Sequence, residues 1–270
     1  MNILEKIIET KKLEVKNQKK VLPEVQLKSY PGYKRECNSL KLALSIPDTT
    51  GIIAEFKQKS PSKGEINFAA KVEEVTREYA EAGAAGLSVL TDYEYFGGTL
   101  ANLAKAREAN PKVPILRKDF IIDPWQITEA KAFGADVILL IAACLEKKQA
   151  EMLAKHANAV GMEVLMEVHH AEELKKVNDF VDMVGINNRD LKTFKVDVET
   201  SVLLGRLIPG RYVKISESGI SDAATIRYLK ENDFSGFLIG EAFMKSGNPG
   251  EACRRLISEL KKKNDSGAQI

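Results

Sequence analysis

Residues 133–141 read FGADVILLI. A glycine and an aspartate close an amphipathic stretch, and an unbroken apolar run follows. The same hinge recurs as AGAAGLSVL at 82–90 and NDFSGFLIG at 232–240. Each places a glycine near the end of a helix or the start of a strand, where a positive φ or a close packing contact is useful. The longest apolar run, VILLIAACL at 137–145, is far too short to cross a bilayer and reads as a strand entered from a helix.

Outward from this hinge the pattern becomes a rhythm. Short β-branched or apolar runs fall at 51–54 (GIIA), 86–90 (GLSVL), 113–116 (VPIL), 136–142 (DVILLIA), 162–166 (MEVLM), 181–186 (VDMVGI), 212–215 (YVKI) and 236–239 (GFLI). Amphipathic stretches separate them, for example 69–82, 146–160 and 221–231. Strand alternating with helix means βαβ units and a parallel sheet. Eight strands with eight following helices in roughly 200 residues predict a single (β/α)8 TIM barrel. A doubly wound sheet is the alternative, because strand order is invisible in one sequence. No GxGxxG follows the first strand, which argues against dinucleotide binding. Residues 1–50 are expected to form a helical extension that packs on the barrel, with a helix over 3–20 and a proline-containing connector. The barrel is expected over 51–262, with a flexible tail at 263–270.

The composition is that of an ordinary soluble globular chain: 270 residues, 44% apolar and 29% charged, with a formal net charge of +2. Nothing in that balance asks for nucleic acid or a membrane surface, and no basic cluster is interleaved with aromatics. Cys37, Cys144 and Cys253 are odd in number and widely spaced, which suits neither a disulfide framework nor a zinc site. The charged amino terminus lacks the apolar core of a signal peptide. These features predict a cytoplasmic protein.

A barrel places its chemistry at the carboxyl ends of the strands. The first strand runs into Glu55 and Lys57, which face one side because residues i and i+2 of a strand do so. The third ends in Arg117, Lys118 and Asp119, followed by Phe120. The fifth ends in Glu167 and a histidine pair, the sixth in Asn187, Asn188, Arg189 and Asp190. The seventh ends in Ser216, Glu217, Ser218 and Gly219, the eighth in Gly240 and Glu241. The second and fourth end in mostly uncharged runs. A buried charge without a partner costs several kcal/mol, so charges on six of eight strand ends point to an active site rather than to accident.

ISESGIS at 215–221 and LIGEAF at 238–243 bring small residues and glycines to strands 7 and 8, where backbone N–H groups can approach a phosphate. Ser60, in the SPSKG turn, adds a hydroxyl from a neighbouring loop. Glu55, Glu167 and Glu217 supply carboxylates, and Lys57 and Lys118 supply ammonium groups. Lysines crowded by other cations and partly desolvated have a lowered pKa, which suits a proton donor. A lysine forming a Schiff base is the alternative, and the residues themselves do not separate the two. His169 and His170 read as a helix-entry turn, since no third metal ligand is evident. Trp125 reads as a packing residue.

AEFKQKSPSKG at 54–64 resembles the signature of indole-3-glycerol-phosphate synthases, AE-K-x-x-SPS-x-G. The family's remaining landmarks follow in order: SVLTDYEYFGG (88–98), LRKDFI (116–121), LLIAA (139–143), LMEVH (165–169), GINNRDL (185–191), SESGI (216–220) and LIGEAFM (238–244). The likeness covers essentially the whole chain, the amino-terminal extension included. Gln58 and Asn188 depart from the family pattern.

The resemblance implies ring closure of a carboxyphenylamino-deoxyribulose phosphate with loss of carbon dioxide and water, late in tryptophan biosynthesis, with no metal and no organic cofactor. By motif, Lys118 is similar to the general acid and Glu167 to the carboxylate that stabilises charge on the anilino nitrogen. Lys57 resembles the group that holds the substrate carboxylate and donates a proton in dehydration, with Glu55 as base. Asn187 and Glu217 resemble groups that hold the sugar hydroxyls. Ser60, Ser218, Gly219, Gly240 and Glu241 fall in the phosphate loops, and Arg189 near the substrate. Phe96, Phe120, Leu139, Ile141 and Leu191 match apolar walls around the anthranilate ring. The family also implies that part of the extension closes the site. The expected state is a monomer, with a weak homodimer or a tryptophan-pathway partner as alternatives. The rival functions are another phosphosugar barrel enzyme (an isomerase or a Schiff-base aldolase) and a non-catalytic phosphate-ligand binder.

Overall fold

In the computed structural model, which describes residues 3–190 and 193–262, eight parallel strands close into a barrel in which each pairs with its sequence neighbours and the first with the last. They are β1 (Ile52–Phe56), β2 (Gly86–Leu90), β3 (Ile115–Lys118), β4 (Val137–Ile141), β5 (Glu163–Val168), β6 (Met183–Asn187), β7 (Val213–Glu217) and β8 (Gly236–Ile239). Closure leaves no sheet edge to protect. The alternative of an open doubly wound sheet is thereby excluded. Leu191 and the tail at 263–270 lie outside the described residues.

Alternation along the strands builds two cores. Ile53, Leu116, Leu139, Leu165, Met183, Ile215 and Leu238 point inward and fill the barrel. Their neighbours Ile52, Ala54, Ile115, Ile138, Leu140, Met166 and Ile239 point outward beneath the helices. One further step along the inward parity reaches Glu55 on β1, Lys118 on β3, Glu167 on β5 and Glu217 on β7.

After α1 (Ile3–Val21), the crossover helices are α2 (Val72–Ala82), α3 (Leu100–Ala109), α4 (Pro124–Ala132), α5 (Lys147–Ala159), α6 (Glu199–Gly205), α7 (Ala223–Glu231) and α8 (Pro249–Lys261). Capping residues start several of them. Asp123 and Gln126 form a reciprocal capping box at α4, and Asp222 caps α7. Between β5 and β6 the expected eighth crossover helix is instead a 3-10 segment, Ala171–Lys176.

The hinge that opened the sequence works in two ways. Gly134 takes φ +99°, and a Cβ there would meet the Arg107 Cγ at 2.6 Å. In NDFSGFLIG the positive φ belongs instead to Asp233, at 65°. Gly236 serves packing, because a Cβ would lie 2.7 Å from the Ile215 Cγ1.

The extension touches both ends of the barrel. Leu40 and Leu44, on a short helix at Leu40–Ser45, join the inner core and plug its floor. Val15 and Leu27 pack with Trp125 and Ala132 of α4, and the Trp125 indole donates to the Leu22 carbonyl. On α1, Ile7, Lys11 and Val15 form one buried stripe. Lys11 reaches Asp92 after β2 and Asp119 after β3, each at 3.0 Å. No helix among the described residues is long and apolar enough to cross a membrane.

Candidate active site

The carboxyl ends of the strands surround a cavity of about 440 Å³. Every described residue expected in the site lines it, from Glu55 on β1 to Glu241 after β8. Strand parity explains the selection. Lys118 points in, whereas Arg117 points out to Glu129 of α4 at 2.9 Å and to Asp119 at 3.0 Å. Of the charged cluster at the end of the third strand, then, Lys118 and Asp119 line the cavity and Arg117 does not.

Lys118 stands at the centre. Its Nζ lies 2.9 Å from Glu217, 3.6 Å from Glu167 and 3.8 Å from Glu55. Lys57 pairs with the other oxygen of Glu55 at 2.9 Å, and the Ser88 hydroxyl donates to Glu55 at 3.3 Å. Burial disfavours charge on Lys118, but the three carboxylates outweigh it and raise its pKa well above the ordinary lysine range. The expectation of a lysine acidified by neighbouring cations is therefore corrected, because the groups around its ammonium are carboxylates.

The carboxylates are not equivalent. Burial raises Glu55, yet Lys57 and Lys118 hold it below its usual range. Glu167 is likewise held low against burial by Lys118, by His169 and by the Asn187 amide, which donates to its Oε1 at 3.2 Å. Glu217 is pushed up to about 7 by burial, with Lys118 opposing and Glu167 and Glu55 adding to the rise. Two glycines make room for this crowding. A Cβ on Gly185 would lie 2.2 Å from the Glu217 Oε1, and one on Gly240 2.6 Å from the Glu55 Oε1.

On one side of the charged centre the walls are apolar. Leu139 and Ile141 of β4 project from the inner core, and the Phe96 and Phe120 rings stand 6.0 Å apart. On the other side lie the small-residue loops. Ser218 and Gly219 take consecutive positive φ values of 68° and 76°, a costly conformation for serine. Asn188 braces that turn by donating to the Ser218 carbonyl and the Ser216 hydroxyl, each at 3.0 Å. The buried Ser60 hydroxyl has no hydrogen-bond partner. Gln58 donates to the Phe68 and Ala70 carbonyls, each at 3.3 Å. Both departures from the family pattern thus hold loops rather than line the cavity. Arg189 approaches Glu241 at 3.5 Å.

Several residues of the site went unread in the sequence. Ile3, Leu4 and Ile7 of α1 cover the cavity, and their helical spacing was the available signal. Asp92, after the supposedly uncharged second strand end, is buried against Lys11. His169 lies beside Glu167, on the parity that links residues i and i+2. Among the described residues no group of three or more His, Cys, Asp or Glu is arranged to hold a metal ion.

The sequence model of the indole-3-glycerol phosphate synthase family matches residues 4–256. A protein of that name from Bacteroides thetaiotaomicron is 47% identical over 96% of this chain and 99% of its own length. One from Salinibacter ruber is 42% identical over 97% of both. Among solved structures, 3-hexulose-6-phosphate synthase from Salmonella typhimurium superposes with a TM-score of 0.63 at 11% identity, covering 78% of this chain and 98% of that one. The tryptophan synthase alpha subunit from Legionella pneumophila gives 0.60 at 13% identity, over 83% of this chain and 97% of that one. At such identities the two structures speak for the barrel alone.

Proposed function

The chain belongs to the indole-3-glycerol phosphate synthase family, and from that premise we propose how its cavity divides the work of ring closure. The reaction converts 1-(2-carboxyphenylamino)-1-deoxyribulose 5-phosphate to indole-3-glycerol phosphate with loss of carbon dioxide and water, a step of tryptophan biosynthesis.

The observation that carries the assignment is the single ammonium of Lys118 within 4 Å of three carboxylates. Lys118 protonates the sugar carbonyl as the ring carbon bearing the carboxylate attacks it. The proton ends on the new hydroxyl, and positive charge spreads over the anilino nitrogen and ring. Glu167, ionised and facing Lys118, stabilises that charge. Breaking the bond to the carboxylate returns its electron pair to the ring and releases carbon dioxide. Lys57 holds the carboxylate beforehand and then donates the proton on which the hydroxyl leaves as water, while Glu55 takes the proton from carbon that completes the indole.

Glu217 and Asn187 hold the sugar hydroxyls. Glu217, near 7, is also able to change charge around neutral pH, and each proton it takes up loosens its hold on Lys118. The raised pKa of Lys118 opposes the Schiff-base reading, since an ammonium has no lone pair with which to attack a carbonyl.

Folding a flexible substrate so that two carbons meet is where positioning contributes most. The unpartnered Ser60 hydroxyl and the loops at Ser218, Gly219, Gly240 and Glu241 anchor the phosphate, with Arg189 beside them. Phe96, Phe120, Leu139 and Ile141 enclose the ring at the other end. We place the protein in the cytoplasm as a monomer, in keeping with its three free cysteines.

The test follows indole fluorescence after addition of the substrate. Lys118→Met and Glu167→Gln are each expected to lower kcat on the order of 10²–10⁴-fold, the usual worth of acid–base groups, with a smaller change in KM. Wild-type turnover in either variant removes the corresponding role, and a flat trace from the folded wild type removes the whole scheme.

A further inference from the structure

Behind Glu167, on the side away from Lys118, sits a buried imidazole that the ring-closing scheme does not use. His169 is 5% exposed. Its Nε2 lies 3.3 Å from the Glu167 Oε1, and its Nδ1 lies 3.6 Å from the Glu173 Oε2. The His169 backbone N–H donates to that same Glu173 oxygen at 2.7 Å. Neither ring nitrogen makes a hydrogen bond of normal geometry, so the two carboxylates are the contacts that repay its desolvation.

We propose that His169 is a positioning residue for Glu167, the middle member of a Glu173–His169–Glu167 chain that fixes the carboxylate from behind. The proposal rests on the role assigned above to Glu167. The two oxygens of Glu167 have separate duties. Oε1 is held by His169 and by Asn187, which leaves Oε2 aimed at Lys118 at 3.6 Å. Without the ring behind it, the carboxylate is free to rotate out of line with the developing charge.

The charged and titratable surroundings of the ring favour its protonated form. Glu167 lies two residues before it at the end of β5, Glu173 and Lys176 lie on the 3-10 segment, and Glu217 lies on β7. Lys118 stands across Glu167 on β3, Cys144 follows β4, and the His170 ring is 6.4 Å away. Burial lowers the pKa of His169, but Glu173, Glu167 and Glu217 outweigh it and raise the pKa above the ordinary histidine value of 6.5. A raised histidine pKa means that the imidazolium is present at low pH and is lost as pH rises through the folded value, above the ordinary one. The support it lends to Glu167 disappears in the same window.

The experiment measures kcat and KM from pH 5.5 to 9 for the wild type, His169→Asn and Glu173→Gln, with Glu167→Gln as reference. Taking the ratio of wild-type to His169→Asn kcat cancels the titration of Glu217 that both share. That ratio is expected to be roughly tenfold at the acid end of the range, the lower end of what outer carboxylate and histidine partners contribute, and to fall as pH rises through the folded pKa of His169, with KM changed less than about threefold. A ratio of one throughout, or a loss by the same factor at every pH, overturns the proposal, because a merely structural role does not titrate. Glu173→Gln keeps the hydrogen bond to the backbone but removes the charge, and is expected to move the fall in the ratio to lower pH. If His169→Asn does not fold, an unchanged profile in Glu173→Gln overturns the proposal by itself. Near-wild-type activity in Glu167→Gln would instead remove the role of Glu167, a result separate from the failure of His169.

Discussion

A proton on Glu217 changes the balance of the whole charged centre. Its pKa near 7 lies above the value of about 4.3 expected in an unfolded chain. The folded state therefore binds more protons than the unfolded state between those values, and stability falls as pH rises through them. Glu217→Gln imitates the protonated form. Chemical denaturation should find the variant close to wild type at pH 5 and more stable at pH 8, by on the order of 2 kcal/mol. An equal difference at both pH values would show that the carboxyl does not titrate in this window. Glu55, Glu167 and Asp119 run the other way. Each is held below its usual range against burial, so their stabilisation is present above pH 5 and is lost as pH falls through their folded values.

At the scale of the element, α1 is held over the cavity by a charge. Lys11 is 1% exposed and binds Glu14, Asp92 and Asp119 at 2.8, 3.0 and 3.0 Å. Replacing it takes the cation from buried Asp92 and leaves Asp119 with Arg117; breaking a buried pair on one side costs about 3–5 kcal/mol. Lys11→Met should therefore lower stability by about that amount in a urea titration. It should also raise KM several-fold, since Ile3, Leu4 and Ile7 cover the cavity from the same helix; an unchanged KM would separate the latch from the site. Gly185 makes the same point on β6. Gly185→Ala must push the Glu217 carboxylate aside, and kcat is expected to fall while the strand itself, paired on both sides, persists by circular dichroism.

The molecule as a whole separates chemistry from stability along the barrel axis. At the floor, Asp136 accepts from Arg107, from Arg35 and from the backbone N–H groups of Ile115 and Asn38. It ties the connector after α1 to β3 and β4, far from the charged centre. Asp136→Asn removes the charge that both guanidiniums use. It should destabilise the protein by roughly 3 kcal/mol while leaving kcat of the folded fraction unchanged. A large loss of kcat at full occupancy of the folded state would mean that the two ends of the barrel are coupled.

Much of this architecture is legible in the sequence because its causes are local. Hydrophobic runs, hinge glycines and helix periodicity depend on residues a few positions apart, so the eight strands and all but one of the helices that follow them are readable in the chain itself. Strand parity went further and put Glu55 and Lys57 on one face, while Glu167 and Glu217 were marked only by their places at strand ends. The runs at 113–116 and 212–215 fell short of the observed ends at Lys118 and Glu217, because a charge at a strand end resembles a loop until its partners are known. Local pattern could not show that the neighbours of Lys118 are carboxylates, that Arg117 turns away to Glu129, or that Lys11 is buried. Electrostatic energy follows separation in space, not separation along the chain. The sequence thus determined a βα repeat with polar strand ends, and only the tertiary structure decided that the eight strands close into a barrel, which charges meet, which protons are held, and that His169 stands behind Glu167.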